Sequence, residues 1–269
     1  MTPQDASKIT REVCAAAPIV PVLVVDDAAS AAPLAEALVA GGLPALEVTL
    51  RTAGALDAIR AMSKVEGGIV GAGTLVTPAD VRAAKKAGAR FGVSPGATDA
   101  LMRACEEEDL PLLPGAATAS EAMQLLERGY DMLKFFPAEA SGGAPALKAI
   151  GAPLPQISFC PTGGVSPGNA ETYLSLPNVV CAGGSWVAPK DLVSAGDWAG
   201  IEDLAKEASK LAGGSAPQAG RDQNPGPAPS TLPLRPRRNS PICKRQQWLR
   251  IVPASKILPS STNNRSPCL

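Results

Sequence analysis

The sequence predicts a (β/α)8 barrel of the TIM type, and three observations carry that prediction. Short apolar, strand-like runs alternate with helix-like segments at a spacing of some 20–25 residues. Eight such units fit within residues 1–212, a length suited to a compact barrel. Glycine clusters follow the seventh and eighth strand-like runs, where barrel enzymes place ligand-holding loops. The rival is a doubly wound sheet, which usually has fewer strands and leaves those two glycine loops unexplained.

An N-terminal helix is expected over 5–16, then a wholly apolar strand over 19–25, of the kind covered on both faces. A helix over 28–40 stops at Gly41-Gly42. The second strand spans 45–50 and its helix 53–64; the third, 68–73, precedes a helix opening at Thr77-Pro78, a cap followed by an N1 proline. The fourth strand, 89–93, leads through Ser94-Pro95-Gly96 to a helix over 97–108. The fifth, 110–113, leads through Pro114-Gly115 to a helix capped by Thr118, with Glu121 completing a capping box. The sixth strand, 131–135, precedes a short helix near 144–150. The seventh, 156–160, is followed by Thr162-Gly163-Gly164-Val165 and a helix from about Pro167. The eighth, 178–182, runs into Gly183-Gly184-Ser185, and a helix over 198–211 closes the body.

Composition narrows the chemistry. Hydrophobic residues make up 45% of the chain but aromatics only 3%, so the core is built from Ala, Val, Leu and Ile. No run of about 18 uncharged apolar residues is present, which argues against a membrane span. Asp5, Lys8, Arg11 and Glu12 make the N-terminus amphipathic rather than a secretory signal. Cys14, Cys105, Cys160, Cys181, Cys243 and Cys268 are scattered without a CxxC, which reads as reduced thiols in a cytoplasmic protein. Histidine is absent. That removes Ser-His-Asp and Cys-His systems and His-ligated metals, and leaves acid–base work to Asp, Glu, Lys, Tyr or Cys.

The net charge of zero hides a split: residues 1–212 hold 16 basic and 24 acidic residues, and 213–269 hold 9 basic and one acidic. The second segment has ten prolines in 57 residues and little periodicity, so it reads as a disordered tail beginning at Gly213-Gly214. Arg235, Arg237, Arg238, Lys244, Arg245 and Arg250 raise the question of nucleic-acid binding. No binding module surrounds them and only Trp248 could stack, so a solvated extension is the preferred reading.

The chemistry-bearing stretch is 130–139, where Lys134 stands alone in an apolar run closed by Pro137. A charge there is costly unless paired, neutral or chemically employed. Strand alternation puts Glu47, Thr49 and Arg51 on one face and Leu46, Val48 and Leu50 on the other. The apolar set faces the helices, so Glu47 and Arg51 turn into the barrel. The same parity turns Lys134 inward, between Leu133 and Phe135. The bland reading is a buried Lys–Glu pair that holds the barrel together. The chemical reading is a Schiff-base lysine whose neutral form is favoured by low dielectric and by Arg51, with Glu47 transferring protons. Gly163-Gly164 and Gly183-Gly184-Ser185 offer backbone N–H groups, and a hydroxyl, to a phosphate. Gly71-Ala72-Gly73-Thr74 leaves a narrow opening with the Thr74 hydroxyl available. No Walker or GxGxxG loop is present.

Seven motifs in this order resemble the 2-keto-3-deoxy-6-phosphogluconate aldolase family, class I aldolases of the Entner–Doudoroff pathway that often also act on 4-hydroxy-2-oxoglutarate. They are Glu47-Val48-Thr49-Leu50-Arg51-Thr52, Gly71-Ala72-Gly73-Thr74, Val93-Ser94-Pro95-Gly96, Leu113-Pro114-Gly115, Leu133-Lys134-Phe135-Phe136-Pro137-Ala138-Glu139, Cys160-Pro161-Thr162-Gly163-Gly164-Val165 and Gly183-Gly184-Ser185-Trp186. The resemblance spans about 5–211. It implies Lys134 as the imine-forming lysine and Glu47 as the general acid–base. It implies Arg51, Thr74, Pro95, Phe136 and Thr162 around the pyruvate half, and Gly163, Gly164, Gly184 and Ser185 around the phosphate. It further implies a homotrimer with a small 2-keto acid substrate. No cofactor or metal is expected, because the iminium itself serves as the electron sink. Two other readings remain open on the residues alone: a phosphate-binding isomerase without a covalent adduct, and a non-catalytic sugar-phosphate binding barrel.

Overall fold

The computed structural model describes residues 1–212, and the tail expected to be disordered lies outside the described residues. Eight parallel strands form the wall: β1 (Ile19–Leu23), β2 (Ala45–Thr49), β3 (Ile69–Gly73), β4 (Phe91–Val93), β5 in two pieces (Leu112–Leu113 and Gly115–Ala116), β6 (Met132–Phe135), β7 (Ser158–Pro161) and β8 (Ala182–Gly184). The order β5-β4-β3-β2-β1-β8 is continuous, and the second piece of β5 carries the wall on through β6 to β7. Single bridges Phe159↔Val179 and Thr162↔Gly183 join β7 to the β8 segment. The ring is closed, and the expected barrel is the fold.

The helices are α1 (Pro3–Cys14), α2 (Ala31–Ala40), α3 (Ala55–Met62), α4 (Pro78–Ala87), α5 (Asp99–Glu107), α6 (Ala119–Arg128), α7 (Gly143–Gly151), α8 (Ala170–Leu174), α9 (Lys190–Ala195) and α10 (Trp198–Ser209). Three open on reciprocal caps, in which a threonine hydroxyl accepts an N–H and an acidic side chain reaches back: Thr2/Asp5, Thr77/Asp80 and Thr118/Glu121. Glycines in the left-handed region end α4 and α6, at Gly88 and Gly129, where the backbone turns without a Cβ penalty.

Alternation sorts the strand residues into two cores. Leu46, Val48, Val70, Leu133 and Phe135 point outward and join the helices in one apolar layer. Val20, Ala45, Phe91, Val93, Leu113, Met132 and Cys160 point inward and fill the barrel, together with Val13 and Cys14 of α1. Thus α1 plugs the lower mouth. Arg11 fixes it there by donating to the Asp131 carbonyl and carboxylate at 3.1 and 3.0 Å and to the Ser158 hydroxyl.

The structure corrects four local expectations. The eighth strand pairs with β1 at Ala182–Gly184 rather than over 178–182, and of residues 178–181 only Val179 makes a bridge. The cause is close approach: a Cβ on Gly183 would lie 2.3 Å from Thr162 Oγ1, so only glycine brings the backbone this near β7. The fifth strand resumes after Pro114, which interrupts the ladder because it has no N–H. The helix after β7 starts at Ala170, and α9 was not anticipated.

Candidate active site

Strands β2 and β6 bring the key pair together on the inner wall. Lys134 Nζ lies 3.2 Å from Glu47 Oε1, with the two side chains only 6% and 4% exposed. The room for Glu47 comes from β3. A Cβ on Gly73 would lie 2.2 Å from Glu47 Oε1, and a Cβ on Gly71 would lie 2.5 Å from the Phe91 ring. Phe136 covers the amine from the upper side, its ring centroid 5.2 Å from Lys134 Nζ, a cation–π distance. The Phe136-Pro137 peptide is cis.

Arg51 and Thr74 meet at the upper rim, where Arg51 Nε donates to Thr74 Oγ1 at 3.3 Å. Thr74 has φ 62°, a left-handed conformation that a β-branched residue seldom adopts. Strain of this kind costs on the order of 1–3 kcal/mol and concentrates at functional sites. Pro95 is half-buried at the end of β4, and its carbonyl crowds Gly115, where a Cβ would come within 2.3 Å. Thr162 is buried, with its hydroxyl 3.9 Å from Cys160 Sγ.

The β7 and β8 loops lie side by side because of the Thr162↔Gly183 bridge. Gly163 and Gly164 have φ 100° and 81°, which only glycine adopts readily. Their carbonyls are engaged from behind: Glu139 N donates to Gly163 O at 3.0 Å and Asn169 Nδ2 to Gly164 O at 3.0 Å. Among the described residues, the Gly164 N–H meets no protein acceptor, while the Gly163 N–H faces the β8 segment at the Thr162↔Gly183 bridge. Tyr173 donates to Glu139 and holds it under this loop. Ser185 is exposed beside Gly184 and borders a cleft with Asp26, Trp186 and Lys190.

Of the eleven residues singled out by the sequence, Glu47 and Lys134 lie within strands and the others at strand ends or on the loops that follow, and Lys134–Glu47 and Arg51–Thr74 are in contact. Sequence reasoning missed the supporting residues Gly73, Glu139, Asn169 and Tyr173. Gly73 and Glu139 sit inside motifs that were read for other residues; Asn169 and Tyr173 are loop and helix residues whose contacts exist only in the fold.

A closed parallel barrel with an amine and a carboxylate paired inside it has the parts that a lysine-dependent barrel enzyme needs, and the comparisons place it among the class I aldolases. The chain belongs to the KDPG and KHG aldolase family, whose model matches residues 10–204. It is 52% identical to the 2-dehydro-3-deoxy-phosphogluconate aldolase of Pseudoalteromonas atlantica over 206 residues, covering 76% of this chain and 96% of that one. The structure of the 2-keto-3-deoxy-6-phosphogluconate aldolase of Zymomonas mobilis ZM4 with 3-phosphoglycerate superposes with TM-score 0.72 and 49% identity, covering 76% of this chain and 97% of that chain. The KDPG aldolase of Legionella pneumophila, with pyruvate captured as a covalent carbinolamine, superposes with TM-score 0.72 and 46% identity over 74% of this chain and 97% of that one.

Proposed function

We propose that this aldolase cleaves 2-dehydro-3-deoxy-6-phosphogluconate to pyruvate and D-glyceraldehyde 3-phosphate through an imine on Lys134, with Glu47 moving the protons. The observation that carries the assignment of roles is the buried 3.2 Å contact between the two side chains inside the barrel. Neutral Lys134 attacks the C2 ketone, and the carbinolamine loses water to give an iminium. The iminium accepts the electron pair of the breaking C3–C4 bond while Glu47, directly or through a water, takes the C4 hydroxyl proton. Glyceraldehyde 3-phosphate leaves, the enamine is protonated at C3, and hydrolysis frees pyruvate and the lysine.

Arg51 at the rim suits the substrate carboxylate, with Thr74, Pro95, Phe136 and Thr162 shaping the pyruvate half. The loop of Gly163 and Gly164, with the unclaimed Gly164 N–H, Gly184 and the Ser185 hydroxyl, suits the phosphate. The same catalytic pair serves 4-hydroxy-2-oxoglutarate, which has the same 2-keto-4-hydroxy core and gives pyruvate and glyoxylate. We assign the chain to a homotrimer, a proposal supported by the resemblance and by exposed Val24 and Val76 at the ends of β1 and β3. The scatter of Cys14, Cys105, Cys160 and Cys181, none in a disulfide among the described residues, supports a cytoplasmic setting, and no helix among the described residues is long and apolar enough to cross a membrane.

Borohydride reduction in the presence of pyruvate tests the reading. A stable adduct on Lys134, absent from Lys134→Ala, is expected. An unlabelled protein, or a Lys134→Ala variant with normal turnover, overturns it in favour of an isomerase or a binding barrel. Ser185→Ala is expected to raise KM for the phosphorylated substrate and leave that for 4-hydroxy-2-oxoglutarate unchanged in steady-state assays.

A further inference from the structure

The scattered cysteines of the sequence are not scattered in the fold. Cys14 ends α1, Cys160 points inward from β7, and Cys181 immediately precedes β8. All three are buried, and their Sγ atoms lie within 4.8 Å of one another. The imine chemistry uses none of them. Cysteine also packs as a small hydrophobe, and the neighbours Val13, Val20, Met132 and Val180 would accept it in that role. Apolar packing alone, however, gives no reason for three thiols from three distant segments to converge on one point. Alanine or valine fills such space equally well.

We propose that Cys14, Cys160 and Cys181 form a trithiolate site for a thiophilic divalent cation of the zinc–cadmium class, set between the α1 plug and the barrel wall. Metal–sulfur bonds of about 2.3 Å require sulfurs about 3.8–4.0 Å apart, so closure from the observed spread needs movement of less than about 1 Å. Sulfur-only donors select soft ions over magnesium or calcium. Binding converts the ion and three thiols into a complex of net charge −1 and sends the displaced protons to solvent. Lys134 is the register partner of Cys160 on β6, so the thiol cluster lies one strand away from the amine.

The test uses the full chain with Cys105→Ser, Cys243→Ser and Cys268→Ser, so that only the three clustered thiols remain. Cadmium is added both to the folded protein and during refolding under anaerobic conditions. Expected are one cadmium per chain, the ultraviolet thiolate-to-cadmium charge-transfer band, proton release on binding and a raised unfolding temperature. Adding Cys14→Ser or, separately, Cys181→Ser should abolish the band while circular dichroism shows an intact fold. The proposal is overturned by absence of bound cadmium under both protocols, by a band that survives in either serine variant, or by formation of a disulfide in place of the complex. If Cys14→Ser fails to fold, Cys181→Ser decides alone.

Discussion

At the level of single residues, the contact between Lys134 and Glu47 depends on what is missing next to it. Gly73 has an ordinary negative φ, so alanine strains no backbone there; its Cβ would instead occupy the space of the Glu47 carboxylate. Gly73→Ala is expected to displace Glu47 from Lys134 and cut kcat/KM by on the order of 100-fold, since small misplacements carry penalties of that size. Borohydride trapping of pyruvate should survive, because the amine remains. Measured kcat/KM beside the mass of the trapped protein checks both halves. Lys134 and Glu47 were legible in the sequence because strand parity and an isolated charge are local signals. The purpose of Gly73 was not, because it is a steric relation between β3 and β2. The thiol cluster was illegible for the same reason, since closure of the ring and seating of α1 create the proximity.

The secondary-structure elements divide along the same line. The Thr118/Glu121 cap was readable because its residues are three apart, and the structure contains both of its hydrogen bonds. Thr118→Ala should cost about 1 kcal/mol of stability, read as a lower urea midpoint at unchanged slope. The N–H of Ala117, first, and the Thr118 groups hold the Glu121 carboxyl below its ordinary value of 4.5. A depressed folded value gives a contribution complete above about pH 4.5 and lost as pH falls through that lower value. Glu121→Gln should therefore narrow its stability deficit relative to the parent as unfolding is followed into acid. By contrast, the bounds of β8 and the break in β5 depend on which strand lies alongside. A run of apolar residues such as 178–182 announces burial without announcing its partner.

For the whole molecule, the eight-beat alternation was legible because each strand-helix unit repeats a local pattern, whereas the role of α1 as a floor emerges only after closure. Removing residues 1–16 would uncover Val20, Met132 and Val180 at the lower mouth, along with Asp131 and Ser158 stripped of Arg11. Such a truncation is expected to bind hydrophobic dyes and lose cooperative unfolding, which fluorescence and calorimetry would show. Residues 213–269 lie beyond the family match, which ends at 204. A chain ending at 212 is expected to retain the turnover of the full-length protein under the same assay.

The interruption at Pro114 has a consequence for motion. It leaves the wall as a six-stranded piece and a three-stranded piece, and Lys134 belongs to the smaller one. Lys134 N donates to the Pro114 carbonyl at 2.9 Å, and on the far side two isolated bridges make the other seam. Fewer ladder hydrogen bonds cross these two margins than join β1, β2 and β3, although the chain itself and the shared apolar layer span them. Amide hydrogen exchange should accordingly divide the ring in two, with β1–β3 the slowest and β6–β7 exchanging through a lower-energy, sub-global opening. Lys134, the proposed nucleophile, would then ride on the more yielding part of the wall, while Glu47 is anchored in the stiffer part.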